Sequence, residues 1–147
     1  MQARQCWTVL ADKAQDQCAQ IQKELAALQQ REQSLRASEA RLRQLHAEYR
    51  ERLQPREQAS LGMQDAINQR QFMQQLVALL DKVVQDLAQT ELLMRHTRER
   101  WLAAEKEKLK MEALVEQDLR QQHAALALRE QKQLDELGVR QFNLRSA

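Results

Sequence analysis

Five side chains are of the types that do metal or thiol chemistry: His46, His96, His123, Cys6 and Cys18. A metal site on a helix needs ligands one turn apart, and no histidine here lies four positions from another histidine or from a cysteine. The two cysteines would sit about 18 Å apart along one helix, far beyond disulfide distance. The sequence therefore predicts no metal, no cofactor and no intrachain disulfide, and it favours a reducing compartment such as the cytoplasm.

The motifs of common enzymes are missing as well. The sequence has no glycine-rich phosphate loop and no nucleophile elbow, with only two glycines and one proline. Aromatic residues make up 3% of the chain and charged residues 30%, which is typical of a coiled coil. A net charge of +2 argues against nucleic-acid binding, and no apolar run is long enough for a signal peptide or a membrane span. We expect a non-enzymatic, all-α protein that inserts into no membrane.

The segment "RHTRERWLAAEKEKLKME", residues 95–112, alternates basic and acidic side chains. Opposite charges four positions apart pair along a helix, so the segment is interpreted as a solvated helix face. A second interpretation is an electrostatic docking surface for a partner. The sequence leaves both interpretations open.

Apolar residues recur every seven positions in the first third of the chain. The series contains Trp7, Ala14, Ile21, Leu28, Leu35, Leu42 and Tyr49, and the companion apolar positions are Leu10, Cys18, Leu25, Leu45 and Leu53. The companion slots near Glu32 and Glu39 are polar and weaken the stripe. A sustained seven-residue repeat keeps one helix face against a partner helix in a left-handed supercoil. The spacing predicts a partner-seeking helix over about residues 5–53.

Pro55 and Gly62 interrupt the helical pattern in the segment "QPREQASLG". The residue before a proline avoids helical backbone angles, so the first helix should end just before Pro55, and Asp65 is a candidate cap for the next helix. A turn of about residues 54–64 is long enough to reverse the chain and too short for a domain linker. The interruption predicts the tip of an antiparallel hairpin, in which the numbers of facing residues sum to about 119.

A second apolar stripe follows the interruption in alternating steps of four and three residues. Its members are Phe72, Leu76, Leu80, Val83, Leu87, Thr90, Met94, Thr97 and Trp101. Beyond Trp101 no single frame holds the apolar residues, and Gly138 marks the expected helix end. We predict one coiled-coil domain over residues 1–147, with a second helix over about 65–137 and a frayed tail at 138–147. The longer second helix should overhang the hairpin by about twenty residues, roughly 30 Å, without an intrachain partner.

Tyr49 and Phe72 flank the predicted reversal and should lie close together. One interpretation is a hydrophobic plug that closes the end of the hairpin. The other is a partner-binding patch, because interfaces favour aromatic anchors, with Leu42, Leu45 and Leu76 beside the rings.

The whole pattern resembles the FliJ family of flagellar export proteins. The resemblance rests on "LRQLHAEYRERL" before the turn, on "NQRQFMQQLVALLDKVV" after it, on Trp101 and on "KQLDEL" near the C-terminus. It spans nearly the whole chain. It implies a long two-helix antiparallel coiled-coil hairpin with an overhanging C-terminal helix, similar to the central shaft of rotary ATPases. Such a protein would be a cytoplasmic, non-enzymatic adaptor at the inner-membrane base of the flagellum.

The resemblance also implies three partners: a hexameric export ATPase, the cytoplasmic domain of the export gate and export chaperones. The gate-binding positions of the family match Leu42, Tyr49, Phe72 and Leu76, and Leu45 stands where some relatives have a second aromatic. The candidate ATPase-binding residues are Trp7, Leu10, Leu119, Leu126, Leu134 and Leu137, with Arg129, Lys132 and Arg140 as basic side chains for acidic pore loops.

Two alternatives remain open at this point. The related stalk proteins of virulence-type secretion systems share the architecture implied by the resemblance. A self-associating structural coiled coil would instead pair the same stripes between chains, as a parallel dimer or a bundle.

Overall fold

The computed structural model describes residues 5–52 and 62–146, which form two α-helices with no strand in those ranges. Helix α1 spans Gln5–Arg52, 48 residues, and helix α2 spans Met63–Ser146, 84 residues. The predicted turn around Pro55 lies outside the described residues. The two helices pack against each other as an antiparallel hairpin, so the predicted all-α hairpin with an overhanging C-terminal helix is confirmed.

The chain divides into two compact units. The hairpin unit is Ile21–Arg100, and the terminal unit is Met1–Gln20 with Trp101–Ala147. Each unit contains a stretch of α1 and a stretch of α2.

The core of the hairpin unit is the pair of predicted apolar stripes. Ile21 is 4% exposed and Leu76 is 5% exposed, and Met94 is equally buried. Among the other described members of the two stripes in this unit, Phe72 and Leu45 are exposed at 37% and 36%, and the rest are buried or half-buried. The stripes therefore pack within one chain, which leaves them unavailable to a parallel dimer formed through the same residues.

Two buried stripe positions of α2 carry threonine. The Thr90 hydroxyl donates to the Asp86 carbonyl at 2.8 Å, and the Thr97 hydroxyl donates to the Leu93 carbonyl at 2.8 Å. A buried hydroxyl without a partner is costly, but a carbonyl one helical turn earlier satisfies each of these. Each hydroxyl is hydrogen-bonded within its own helix, so the methyl group of the threonine remains available for packing.

Contacts across the hairpin unit fix the antiparallel direction. The rings of Tyr49 and Phe72 touch, Arg36 binds Glu91 at 3.0 Å, and Arg100 binds Glu24 at 2.8 Å. The residue numbers of these pairs sum to between 121 and 127. The observed sums exceed the predicted sum of about 119 by a few residues. The two charged pairs give the larger differences, because their long side chains can bridge positions about one turn apart along the helices.

The terminal unit corrects the prediction that the seven-residue frame is lost after Trp101. Counting on from Trp101 in steps of three and four, every position to Gln122 is buried or half-buried: Ala104, Lys108, Met111, Val115, Asp118 and Gln122. The frame persists, but polar residues occupy half of it. A search for apolar residues alone therefore misses it, and Ala14 and Cys18 of α1 supply the fully buried apolar side chains in this unit.

Helix α2 also continues beyond its predicted end at residue 137 and runs through Gly138 to Ser146. Gly138 has no left-handed backbone conformation, so it does not act as a C-terminal cap. A glycine inside a helix costs only about 1 kcal/mol relative to alanine, and good helix formers such as Leu137 and Arg140 flank it. The predicted frayed tail is wrong for residues 138–146.

At its other end, α2 begins two residues before the predicted start. The Ala66 amide donates to the Gly62 carbonyl at 3.1 Å, which makes Gly62 the residue that precedes the first turn. Asp65 therefore lies inside the first turn rather than at the cap position. Its carboxylate is still favourable there, because the N-terminal end of a helix carries partial positive charge.

Candidate partner-binding surfaces

The predicted aromatic pair forms in the hairpin unit. The Tyr49 and Phe72 ring centroids lie 4.7 Å apart with a tilt of 48°, within the range of favourable aromatic pairs. The Arg52 guanidinium lies 5.3 Å from the Tyr49 ring centroid, on the next turn of α1. Sequence analysis missed Arg52, although its spacing of three from Tyr49 was the signal for a cation–π contact.

The five residues predicted to bind the gate differ in their burial. Phe72 and Leu45 are the exposed members, at 37% and 36%. Leu42 and Tyr49 are half-buried, and Leu76 is buried against α1. A partner that approaches this surface can reach the Phe72 ring and Leu45, while Leu76 supports them from inside the helix pair.

The C-terminal overhang, residues 123–146 of α2, is exposed at every residue. At 1.5 Å per residue this is roughly 36 Å of helix. The overhang has good helix formers but no apolar partner within the described part of the chain. Exposed apolar side chains on a helix of this length mark a binding surface or an aggregation-prone one.

Four leucines form one face of the overhang, because a helix turns about 100° per residue. This leucine stripe consists of Leu126, Leu134, Leu137 and Leu144, all of them exposed. Half-buried Leu119 continues the same face into the paired part of α2. The stripe contains three of the predicted ATPase-binding leucines, and Leu144 was missed because residues 138–147 were predicted to fray.

A second apolar face runs along the opposite side of the overhang. It consists of Leu128, Val139 and Phe142, each more than half exposed. Measured from Leu137 of the leucine stripe, these side chains lie about 140–180° around the helix. Neither sequence frame included them, so they were not predicted as site residues.

The basic residues predicted to accompany the leucines lie at different angles around the helix. Arg129 and Arg140 are about 60–80° from Leu137 and flank the leucine stripe. Lys132 is about 140° away and belongs with the second apolar face. All three side chains are exposed.

Trp7 and Leu10 lie where α1 and α2 pair in the terminal unit. Trp7 is half-buried in a groove with Leu114, Gln117, Asp118 and Gln121 of α2. Exposed Leu10 borders a neighbouring groove with Met111. Both residues therefore lie at the beginning of the overhang rather than along it.

The charged run at residues 95–112 is only partly a solvated face. Arg100 bridges to Glu24 of α1, while Arg95 and Arg98 line a groove with Arg36, Glu32 and Glu91. Exposed ion pairs of this kind contribute at most about 1 kcal/mol, so they tune the pairing of the helices more than they hold it. No contact in the described ranges tests the docking interpretation.

Cys18 is buried in the terminal unit at 3% exposure, and its thiol donates to the Glu105 carboxylate at 3.1 Å. That hydrogen bond, burial and the negative charge of Glu105 raise the pKa of the Cys18 thiol, and Lys108 and Trp101 act in the opposite direction. A raised pKa keeps the sulfur protonated and poorly nucleophilic. Cys18 is a packing residue, whereas Cys6 is exposed.

Neither a metal cluster nor a membrane-spanning helix occurs in residues 5–52 and 62–146. No group of three or more histidine, cysteine, aspartate or glutamate side chains converges there. No helix in those ranges is long and apolar enough to cross a bilayer.

These features define a coiled-coil hairpin protein with exposed surfaces for partners. The model of the family described as "Flagellar FliJ protein" matches residues 8–147. The chain belongs to the FliJ family, and this membership supports a role associated with flagellar protein export. No match was found among curated proteins or among solved structures.

Proposed function

We propose that this chain is a non-enzymatic stalk of the flagellar export apparatus that inserts its C-terminal overhang into a hexameric export ATPase and stimulates it. The observation that carries the proposal is the exposure of all 24 residues of the overhang, 123–146, on a helix that is otherwise paired. An exposed apolar stripe on a single helix is stabilised by burial against a partner, and the lining of a ring can supply that partner.

The leucine stripe and its flanking arginines supply the contacts with the ATPase in this proposal. The stripe would bury apolar area in the ring, and Arg129 and Arg140 would meet acidic loops of the pore. Trp7 and Leu10 would contact the rim, because they lie where the paired helices give way to the overhang. Half-buried Leu119 would continue the apolar contact into the paired part of α2.

The aromatic pair is the second binding surface. We propose that Phe72 and Leu45 contact the cytoplasmic domain of the export gate, with Tyr49, Leu42 and Leu76 holding them in place. The stalk would then connect the ATPase to the gate at the inner-membrane base of the flagellum and escort export chaperones between them. Family membership favours the flagellar system over a virulence-type one.

The test measures ATP turnover by the cognate flagellar ATPase with increasing amounts of the full chain. We expect the native chain to raise turnover, and Leu137→Glu to abolish the increase by placing a charge in the leucine stripe. The matched control is Leu128→Glu, because Leu128 is exposed to 59% and Leu137 to 53% on the same helix, but on opposite faces. Removal of residues 123–147 should act as Leu137→Glu does, since α1 pairs with α2 only up to Gln122.

Turnover that stays the same with and without the native chain contradicts the stalk proposal. If Leu137→Glu and Leu128→Glu reduce stimulation equally, the ring uses both faces of the overhang rather than the leucine stripe. Circular dichroism of each variant separates a lost contact from a lost helix.

A further inference from the structure

The leucine stripe has a spacing that is nearly the same when read backwards. The steps between Leu126, Leu134, Leu137 and Leu144 are eight, three and seven residues, and the reverse order is seven, three and eight. Two identical helices that pack antiparallel bring each residue of one copy against a residue from the other end of the second copy. A nearly palindromic stripe therefore matches itself in that arrangement.

The match is closest when the numbers of facing residues sum to about 270. Leu126 then faces Leu144 of the second copy, and Gln133 faces Leu137 of the second copy. Because the two copies are identical, each of these contacts occurs twice. The apolar ends of the two overhangs cover each other.

Charge supports the same alignment. Glu130 is the one acidic residue on the stripe, and it would face Arg140 of the second copy. On its own helix Glu130 has leucines four positions away on both sides, Leu126 and Leu134, so no intrahelical ion pair competes. An acid within an apolar stripe is unfavourable alone and favourable against a guanidinium.

One contact opposes the pairing and limits its strength. The two copies of Glu136 would approach each other near the twofold axis. The segment also spans fewer than four seven-residue repeats, which makes a short coiled coil weak. We therefore expect a reversible dimer that dissociates on dilution.

We propose that the C-terminal overhang pairs antiparallel with the same segment of a second copy of this chain. The pair covers the leucine stripe while no other partner occupies it. The pairing itself does not depend on the proposed function. Its consequence for the ATPase, that the dimer must open before the stripe can enter the ring, rests on that proposed function.

The test is a charge exchange in the full chain, followed by sedimentation equilibrium from roughly 1 µM to roughly 1 mM. Glu130→Arg places two arginines opposite each other, and Arg140→Glu does the same with two glutamates, so each variant alone should be monomeric. A mixture of the two variants restores an opposite pair at both contacts and should dimerise. The double variant, Glu130→Arg with Arg140→Glu, should also dimerise as the native chain does.

A native chain that stays monomeric over the whole range overturns the proposal. Dimerisation of both single variants to the native extent overturns it too, since the helices then pair in another register or direction. If circular dichroism shows that a single variant has lost helix content, the mixture of the two variants still tests the proposal. Only a facing pair of residues 130 and 140 predicts that the mixture dimerises when neither variant does so alone. No ATPase is present in these measurements, so a failure of the stalk proposal would leave their result intact.

Discussion

The rings of Tyr49 of α1 and Phe72 of α2 form a tilted pair at a centroid distance of 4.7 Å, although 22 residues separate them in the chain. The contact is the described cross-helix packing nearest to the chain reversal. Phe72 remains 37% exposed beside this contact, and the Arg52 guanidinium lies 5.3 Å from the Tyr49 ring centroid. The same pair therefore serves both the fold and the candidate gate-binding surface.

The aromatic contact should be measurable as a coupling energy. Tyr49→Leu and Phe72→Leu, alone and together, form a double-mutant cycle in chemical unfolding. We expect the two changes to be coupled by about 0.5–1.5 kcal/mol, because offset or tilted aromatic pairs contribute this much beyond area burial. Additive effects within about 0.3 kcal/mol would mean that the rings contribute only as separate apolar groups.

Binding to the export gate should depend on Phe72 more than on its neighbours. Phe72→Ala should weaken binding to the cytoplasmic gate domain at least tenfold, as the loss of an aromatic anchor commonly does. Val77→Ala is the matched control, because Val77 is exposed about as much as Phe72 and lies about 140° around the helix from it. Titration calorimetry checks both, and equal affinities for the two variants would remove Phe72 from the interface.

Leu76 should matter for stability rather than for direct contact. Leu76→Ala should lower the free energy of unfolding by about 2–3 kcal/mol, since it deletes a buried side chain from the helix pair. The adjacent Val77→Ala should change it by less than about 0.5 kcal/mol. Urea unfolding followed by circular dichroism measures both, and a small effect for Leu76→Ala would contradict the packing of the hairpin unit.

The two cysteines should react at very different rates in the folded chain. Cys6 is exposed, whereas Cys18 is buried and its pKa is raised by the hydrogen bond to Glu105 and by burial. One thiol should therefore react quickly with a disulfide reagent near neutral pH, and the second should react only at higher pH or after unfolding. Cys6→Ser should remove the fast phase. A fast phase that persists in Cys6→Ser would show that Cys18 is accessible.

Gly138→Ala should stabilise the end of α2. A methyl group at this position meets no atom within 4 Å, and the backbone is helical, so the change relieves only the entropy cost of glycine. We expect a higher helix content and slower amide exchange at residues 134–146. The free energy of local unfolding there should rise by about 0.5–1 kcal/mol. Gly62→Ala is a comparison at the start of the same helix. Unchanged exchange in Gly138→Ala would indicate that the helix end is not limited by this glycine.

Much of the fold was predictable from the sequence because a coiled coil is specified by local spacing. The seven-residue repeat from Trp7 to Tyr49 and the stripe from Phe72 to Trp101 predicted which faces would be buried. Pro55 and Gly62 predicted an antiparallel return, and the proximity of Tyr49 and Phe72 followed from it. The greater predicted length of the second helix indicated the overhang.

Errors arose where polar residues fill apolar positions. Lys108, Asp118 and Gln122 keep the frame of α2 beyond Trp101, but their side chains hide it from a count of apolar residues. Burial there is imposed by the neighbouring helix rather than by local hydrophobicity. Gly138 led to a different error, a helix end predicted too early. One unfavourable residue does not end a helix that favourable neighbours propagate.

The sequence by itself determined the two helices, the faces that they bury and the direction in which they pair, since these depend on residue spacing along each helix. Only the tertiary structure decided which candidate residues remain accessible. Leu76 and Phe72 belong to the same apolar stripe, yet α1 covers one and leaves more than a third of the other exposed. The accessibility of a side chain depends on how closely the other helix approaches its position. That distance cannot be read from the spacing of residues within one helix.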